Sequence, residues 1–245
     1  MAKEWITGRN PVYEVLAARR RHVFRLLVAK GVEQKGRIHQ IIQMAAKINI
    51  QVEYVPRQQI DAMGENPQGI ALQTNLYPYS DLHEILQQPR KRGEPLFILL
   101  LDVLQDPQNL GTLLRTAEAV GIHGVFMPAN RAAGVTPAVV HASSGASEHL
   151  LVAQGNLAQA ISAIKDAGGW VMGLEGGPEA QPIFQMRLDG PLALVVGSEG
   201  SGLRALTRKS CDVLISLPMR GQIESLNAAV AGSVALYTAF NARQK

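Results

Sequence analysis

From residue 96 onward the chain alternates short apolar runs with longer stretches of helical periodicity, and this alternation narrows the possible folds more than any other feature. Residues 96–101 are apolar throughout, as in a strand buried on both faces. Residues 124–127, 150–152, 170–174, 192–196 and 213–217 read as further strands. Between and after them, 109–120, 137–147, 157–167 and about 225–242 carry the spacing of helices. Strands interleaved with helices predict an α/β domain with a mostly parallel sheet.

Two of these strands, 192–196 and 213–217, run into loops of glycine and small polar residues. In an open α/β sheet, ligands sit at the carboxyl ends of strands, where such loops bring backbone N–H and C=O groups against a small molecule. A Cβ would block the approach or the required backbone angles, which is why glycine serves there. The pattern points to a small-molecule site near Gly197 and residues 217–226.

Residues 1–77 read as a separate small α/β domain. Asn10-Pro11 opens a helix, and strands are expected over 23–28, 51–55 and 69–74, with helices over 37–48 and 58–63. Residues 78–95, punctuated by Pro78, Pro89 and Pro95, are expected to link this domain to a second one over 96–245, with a short helix over 81–88. Charge divides along the same lines. Residues 1–77 hold 11 Lys/Arg against 6 Asp/Glu, whereas residues 96–245 hold 10 against 11. A basic surplus confined to the first third attracts polyanions, although an ordinary solvated face would look the same. Arg19-Arg20-Arg21, at the end of the first helix, fits either helix capping or phosphate contact.

With 47% hydrophobic residues in 245, the chain can bury a substantial core. No apolar run approaches the roughly 20 residues that span a bilayer. The N-terminus lacks the apolar segment of a secretory signal. No membrane association is expected. Cys211 is the single cysteine, so an internal disulfide is impossible and the reducing cytoplasm is the expected compartment. The six histidines pair neither with one another nor with Cys211 at ligand-like spacing, so no metal site is expected.

Three motifs could carry chemistry. The first spans Asp102 to Ala117 and contains Asp106-Pro107, Asn109 as the expected helix cap, and Arg115 six residues later. The helical rise of about 9 Å lets Arg115 reach back toward the helix start only if its side chain folds N-terminally. A capped helix with a surface arginine is the alternative. The second motif, Gly197-Ser198-Glu199-Gly200-Ser201-Gly202, is not a G-x-G-x-x-G fingerprint, which argues against a nicotinamide dehydrogenase. The third runs from Leu217 to Asn227, with Ser225 placed to cap the last helix. That helix opens with many small residues, which suit either tight packing within the chain or a helix–helix dimer contact.

Together, and in this order, the three motifs closely resemble those of the SpoU (TrmH-like) family of the SPOUT class, RNA ribose 2′-O-methyltransferases that use S-adenosylmethionine. Residues 1–77, beginning Gly8-Arg9-Asn10-Pro11-Val12, resemble the substrate-binding domain joined to many members, which is similar to a small RNA-binding fold of ribosomal proteins. The resemblance implies a catalytic domain with a C-terminal trefoil knot that binds the methyl donor. Gly197, Leu217 and Leu226 would supply backbone contacts to the donor, and Met219, Glu199 and Gly202 would line its pocket. Arg115 is implied at the 2′-hydroxyl, assisted by Asn109, Glu199, Ser225 and Asn227. It further implies a homodimer packed through the first and last helices of the catalytic domain. The nearest substrate match is a guanosine of 23S rRNA. A tRNA ribose, or a non-catalytic RNA-binding role, is the alternative. Members commonly carry a larger residue and a serine after the motif-three asparagine, where this chain has Ala228-Ala229.

Overall fold

The computed structural model describes residues 2–64, 66–130, 132–198, 200, 202–223 and 225–244. Among these, the chain runs β1 (Lys3–Thr7), α1 (Arg9–Ala18), β2 (Val23–Ala29), α2 (Arg37–Lys47), β3 (Gln51–Val55), α3 (Arg57–Asp61) and β4 (Ile70–Asn75). It continues through α4 (Leu82–Arg92), β5 (Phe97–Leu101), α5 (Pro107–Ala119), β6 (Gly124–Pro128), α6 (Pro137–Ala142), β7 (Val152–Gly155), α7 (Leu157–Asp166) and β8 (Trp170–Leu174). It ends with β9 (Gln181–Pro182), β10 (Leu192–Val196), α8 (Ala205–Ser210), β11 (Val213–Ser216) and α9 (Ala228–Ala242). The chain divides into two compact units.

The first unit takes Met1–Pro78 and Val135–His149. Its sheet has the order β1-β4-β2-β3, with β2 and β3 parallel and the other pairs antiparallel. The edge strand β1 was not expected. It is five residues long and begins Lys3-Glu4, and short charged strands of this kind serve as sheet edges without an apolar signature. The segment 135–149, expected within the second domain, belongs to this unit, and the reason lies in the arginine cluster. Arg19 is the left-handed C-cap of α1 (φ 53°). Arg20 donates to the Tyr77 hydroxyl (3.2 Å) and to the carbonyls of Pro78 (3.0 Å) and Glu148 (3.3 Å). Arg21 is buried, forks onto the Glu148 carboxylate at 2.7 and 2.8 Å, and also pairs with Glu4. Two of the three arginines are therefore neither dipole caps nor free for phosphate: their charge is spent inside the fold. Burial disfavours the Arg21 charge, but its bonds to Glu148 and Glu4 outweigh that and raise its pKa.

The second unit takes Tyr79–Gly134 and Leu150–Lys245. Its sheet order is β7-β6-β5-β10-β8-β11-β9, and every strand pair among the described residues is parallel. Every residue of β5, β6 and β10 is buried, which accounts for their unbroken apolar sequences. Residues 78–95 are not an open connector: α4 is capped by Asp81, which accepts from the Glu84 N–H at 2.7 Å, and its Ile85 enters the core of this unit. A Cβ on Gly124 would lie 2.7 Å from Ile85, so glycine at the start of β6 is what lets α4 settle there. In chain order β5, β6 and β7 step outward one way, while β10 is inserted between β5 and β8. That reversal is where an α/β sheet opens a crevice at its carboxyl edge.

Candidate functional site

At that edge the carboxyl ends of β8, β10 and β11 open onto a cavity of about 520 Å³. Its walls come from Leu174–Gly176 after β8, Val196–Ser198 with Gly200 and Gly202 after β10, and Ser216, Leu217 and Met219 after β11. Residues 225–228 and Ala231 close it from the start of α9. Of the residues expected at a site, Gly197, Gly202, Leu217, Met219, Ser225, Leu226 and Asn227 all line this one space. Glu199 lies outside the described residues.

The loop after β10 folds back on itself. The Ser198 N–H donates to the Gly202 carbonyl at 3.1 Å, and the Gly202 N–H returns a bond to the Ser198 carbonyl at 3.2 Å. Gly200 and Gly202 hold left-handed φ values of 79° and 63°. A Cβ on Gly197 would lie 2.4 Å from the Gly202 carbonyl, a backbone atom that cannot swing aside. Glycine at 197 is thus demanded by the loop's own closure.

The loop is latched to the first motif. Asp102 is fully buried at the end of β5, and its N–H donates to the Val196 carbonyl at 2.8 Å. Its carboxylate accepts from the Arg204 backbone N–H at 2.8 Å and from the Arg204 guanidinium at 2.6 Å. Asp102 belongs to the motif, but its role was not anticipated. The available signal was an acid ending a run of six apolar residues, since buried carboxylates are rare unless paired. Next to it, Val103 adopts φ 61°, a strained setting for a β-branched residue. The chain thereby turns sharply from the latch into α5.

Two expected caps fall elsewhere. Asp106, not Asn109, caps α5, accepting from the Gln108 and Asn109 N–H groups. With Pro107 at the first helical position, the cap must lie one residue before it. Asn227, not Ser225, caps α9: its Oδ1 accepts from Ala229 (2.9 Å) and Val230 (3.1 Å). The remaining Asn227 group, its Nδ2, donates to Asn109 Oδ1 at 3.1 Å. The first and third motifs are joined through this pair. Arg115 is exposed on α5 and is not part of the cavity wall.

Gly232 and Ser233 of α9 serve packing within the chain, while Ala228 and Ala231 face the cavity. A Cβ on Gly232 would stand 2.6 Å from Leu113 of α5 and 3.1 Å from Val196 of β10. Thr116 and Ser233 share a hydrogen bond of 2.9 Å across the same contact. One further wall residue had no sequence expectation. Glu175 follows β8, and its Oε2 is buried without a hydrogen-bond partner among the described residues. No group of three or more His, Cys, Asp or Glu is placed to hold a metal among the described residues. Among them, too, no helix is long and apolar enough to cross a membrane.

Comparison with known proteins agrees with this architecture. The profile of the SpoU rRNA Methylase family matches residues 96–237, and that of RNA 2′-O ribose methyltransferase substrate binding matches residues 5–80. Bacillus subtilis YacO, named for the TrmH family of tRNA/rRNA methyltransferases, is 41% identical over 98% of this chain and 96% of its own length. A protein of Staphylococcus saprophyticus named for the same family is 37% identical over 97% of this chain and 95% of its own. Among solved structures, the SpoU methyltransferase AviRb of Streptomyces viridochromogenes, in complex with AdoMet, superposes with a TM-score of 0.82 at 24% identity, covering 99% of this chain and 91% of that one. With the three motifs gathered at one sheet edge and these matches over most of its length, the chain belongs to the SpoU rRNA Methylase family.

Proposed function

We propose that this protein transfers a methyl group from S-adenosylmethionine to a ribose 2′-hydroxyl of RNA, with a guanosine of 23S rRNA as its substrate. The observation that carries the reading is one cavity walled by the second and third motifs, to which the first is tied by the bond between Asn109 and Asn227. The cavity suits an adenosine-bearing donor. Leu174, Val196, Leu217 and Leu226 supply apolar wall, and Gly197 and Gly202 of the folded loop contribute backbone to it. AviRb, of the same fold, was solved with AdoMet.

When bound, AdoMet supplies a methyl group already activated by its positively charged sulfur. The protein's part is to hold and orient. Backbone groups of Gly197, Leu217 and Leu226 would hold the donor, with Met219 and Gly202 lining its pocket, and the family resemblance adds Glu199 to that set. Such positioning can lower a barrier by several kcal/mol, up to ~7–11 in favourable cases. Arg115 acts at the ribose hydroxyl in one of two ways. It stabilises the developing alkoxide and the neighbouring phosphate, or it passes a proton toward that phosphate and takes the hydroxyl's proton in turn. Asn109, Ser225, Asn227 and Glu199 complete the setting.

The first unit holds the RNA, with Arg9, Lys30, Lys47 and Arg57 exposed on it. The trefoil knot and the cytoplasmic location belong to the same proposal. So does a homodimer through α5 and α9, the latter leaving Val230, Val234 and Tyr237 exposed. A tRNA ribose is the second reading, because YacO is named for both RNA classes. The deciding experiment is a map of 2′-O-methylated riboses in rRNA and tRNA from cells lacking the protein. Loss of one 23S guanosine mark is expected. Loss confined to tRNA would move the substrate, and no loss, with no AdoMet binding by calorimetry, would leave a non-catalytic RNA-binding protein.

A further inference from the structure

We infer that Glu175 reads the ribose of the methyl donor, accepting hydrogen bonds from its hydroxyl groups; this rests on the proposal that the cavity binds S-adenosylmethionine. The argument begins with an acceptor that lacks a donor. Glu175 sits at the carboxyl end of β8, the middle one of the three strands whose ends open onto the cavity. Its backbone is fixed, the N–H donating to the Ile215 carbonyl at 3.0 Å. Its Oε2 is buried and meets no donor among the described residues. Its Oε1 faces Arg208, but at 3.7 Å, and that guanidinium makes its shorter contact, 2.8 Å, with Glu179. A buried carboxylate oxygen without a donor is costly, so it marks a place where a ligand group completes the shell.

The surroundings decide what kind of donor fits. Gly202 lies beneath the carboxylate, where a Cβ would come 3.6 Å from Oε1, so the residue stands directly over the folded glycine loop. Leu174 and Leu217 beside it offer apolar surface for a flat base. Arg208 already offsets part of the Glu175 charge, which makes the carboxylate a poorer counter-ion for a sulfonium or an ammonium than an acceptor for neutral hydroxyls. Acids at strand ends read ribose hydroxyls in the same way in other α/β nucleotide sites.

The test is calorimetric binding, without RNA, to the full-length wild type, Glu175→Ala and Glu175→Gln. The probes are S-adenosylmethionine, 5′-methylthioadenosine and the 2′,3′-dideoxy form of the latter. Methylthioadenosine keeps the ribose hydroxyls but carries neither positive sulfur nor ammonium. Glu175→Ala is expected to weaken S-adenosylmethionine and methylthioadenosine by the same factor, about tenfold to a hundredfold. Glu175→Gln, which keeps an acceptor oxygen, should weaken both less. Removing the hydroxyls from the ligand should cost affinity in the wild type and nothing more in Glu175→Ala. Thermal melting without ligand should be unchanged or raised in both variants, because an unsatisfied buried charge has gone. Weakening confined to S-adenosylmethionine would assign the carboxylate to the cation and overturn the inference, as would unaltered binding of both ligands. A wild type that binds none of the three probes would instead sink the proposed function.

Discussion

Arg115 is exposed on α5, outside the cavity wall, and a guanidinium stays charged in proteins. A side chain so placed can meet the RNA without supporting the donor. Arg115→Ala should therefore lower turnover by at least about a hundredfold, while the calorimetric Kd for S-adenosylmethionine stays within about twofold of wild type. An active Arg115→Ala enzyme would remove the residue from the mechanism. His123 makes a second residue-scale prediction. Its Nδ1 accepts the Phe97 N–H at 2.9 Å, so the ring must stay neutral on that side. Burial lowers its pKa, and Arg92 lowers it further, against a smaller opposing pull from Glu94. The folded state thus disfavours a proton that the unfolded chain accepts near pH 6.5. Stability from this site is present above that pH and is lost as pH falls through the depressed folded value. The melting temperature should drop on going from pH 7.5 to 5.5, and His123→Gln should flatten that drop.

At the scale of elements, the Asp102 latch joins β5 to the loop after β10. Asp102→Ala leaves the Arg204 N–H and guanidinium without their acceptor, at a cost of about 2–3 kcal/mol in unfolding free energy. It should also weaken S-adenosylmethionine binding, because the glycine loop loses its anchor. Denaturant melts and calorimetry together check both effects, and unaltered donor affinity would show that the loop closes without the latch. The same elements mark how far the sequence alone could be followed. Strands such as β5, β8 and β10 were legible because wholly apolar runs bounded by polar turns have few other uses. Most of the cavity wall was legible too, through Gly197, Leu217 and Asn227. Caps were misassigned where two capping residues compete within a few positions: Asp106 takes α5 from Asn109, and Asn227 takes α9 from Ser225. The edge strand β1 was missed for want of apolar alternation. Arg20 and Arg21 looked like surface charge because their partners, Tyr77 and Glu148, lie 57 and 127 residues away. No local pattern encodes pairings at that range.

Across the whole molecule, the arginines folded into the interior of the first unit reduce the charge left to meet RNA. What remains exposed includes Arg9, Lys30, Lys47 and Arg57. Reversing Lys30 and Arg57 to glutamate should weaken RNA binding. It should also flatten the dependence of log K on log salt by about 0.7–0.9 for each lost phosphate contact. Filter binding between 50 and 200 mM salt, as an approximate range, measures the slope. An unchanged slope would move the RNA surface elsewhere. Deleting the first 78 residues is a poor substitute for this experiment, because residues 135–149 belong to the same unit and lose their partners, Glu148 losing Arg21 among them.

That long-range pairing also orders events during synthesis. The amino-terminal unit emerges from the ribosome first, yet Arg21 has no full complement of charge until Glu148 follows it out of the exit tunnel. Native completion of the leading unit must wait while β5, α5 and β6 are translated. The two units are therefore not made one after the other, and the nascent chain carries an unfinished RNA-binding end until well over half its length exists.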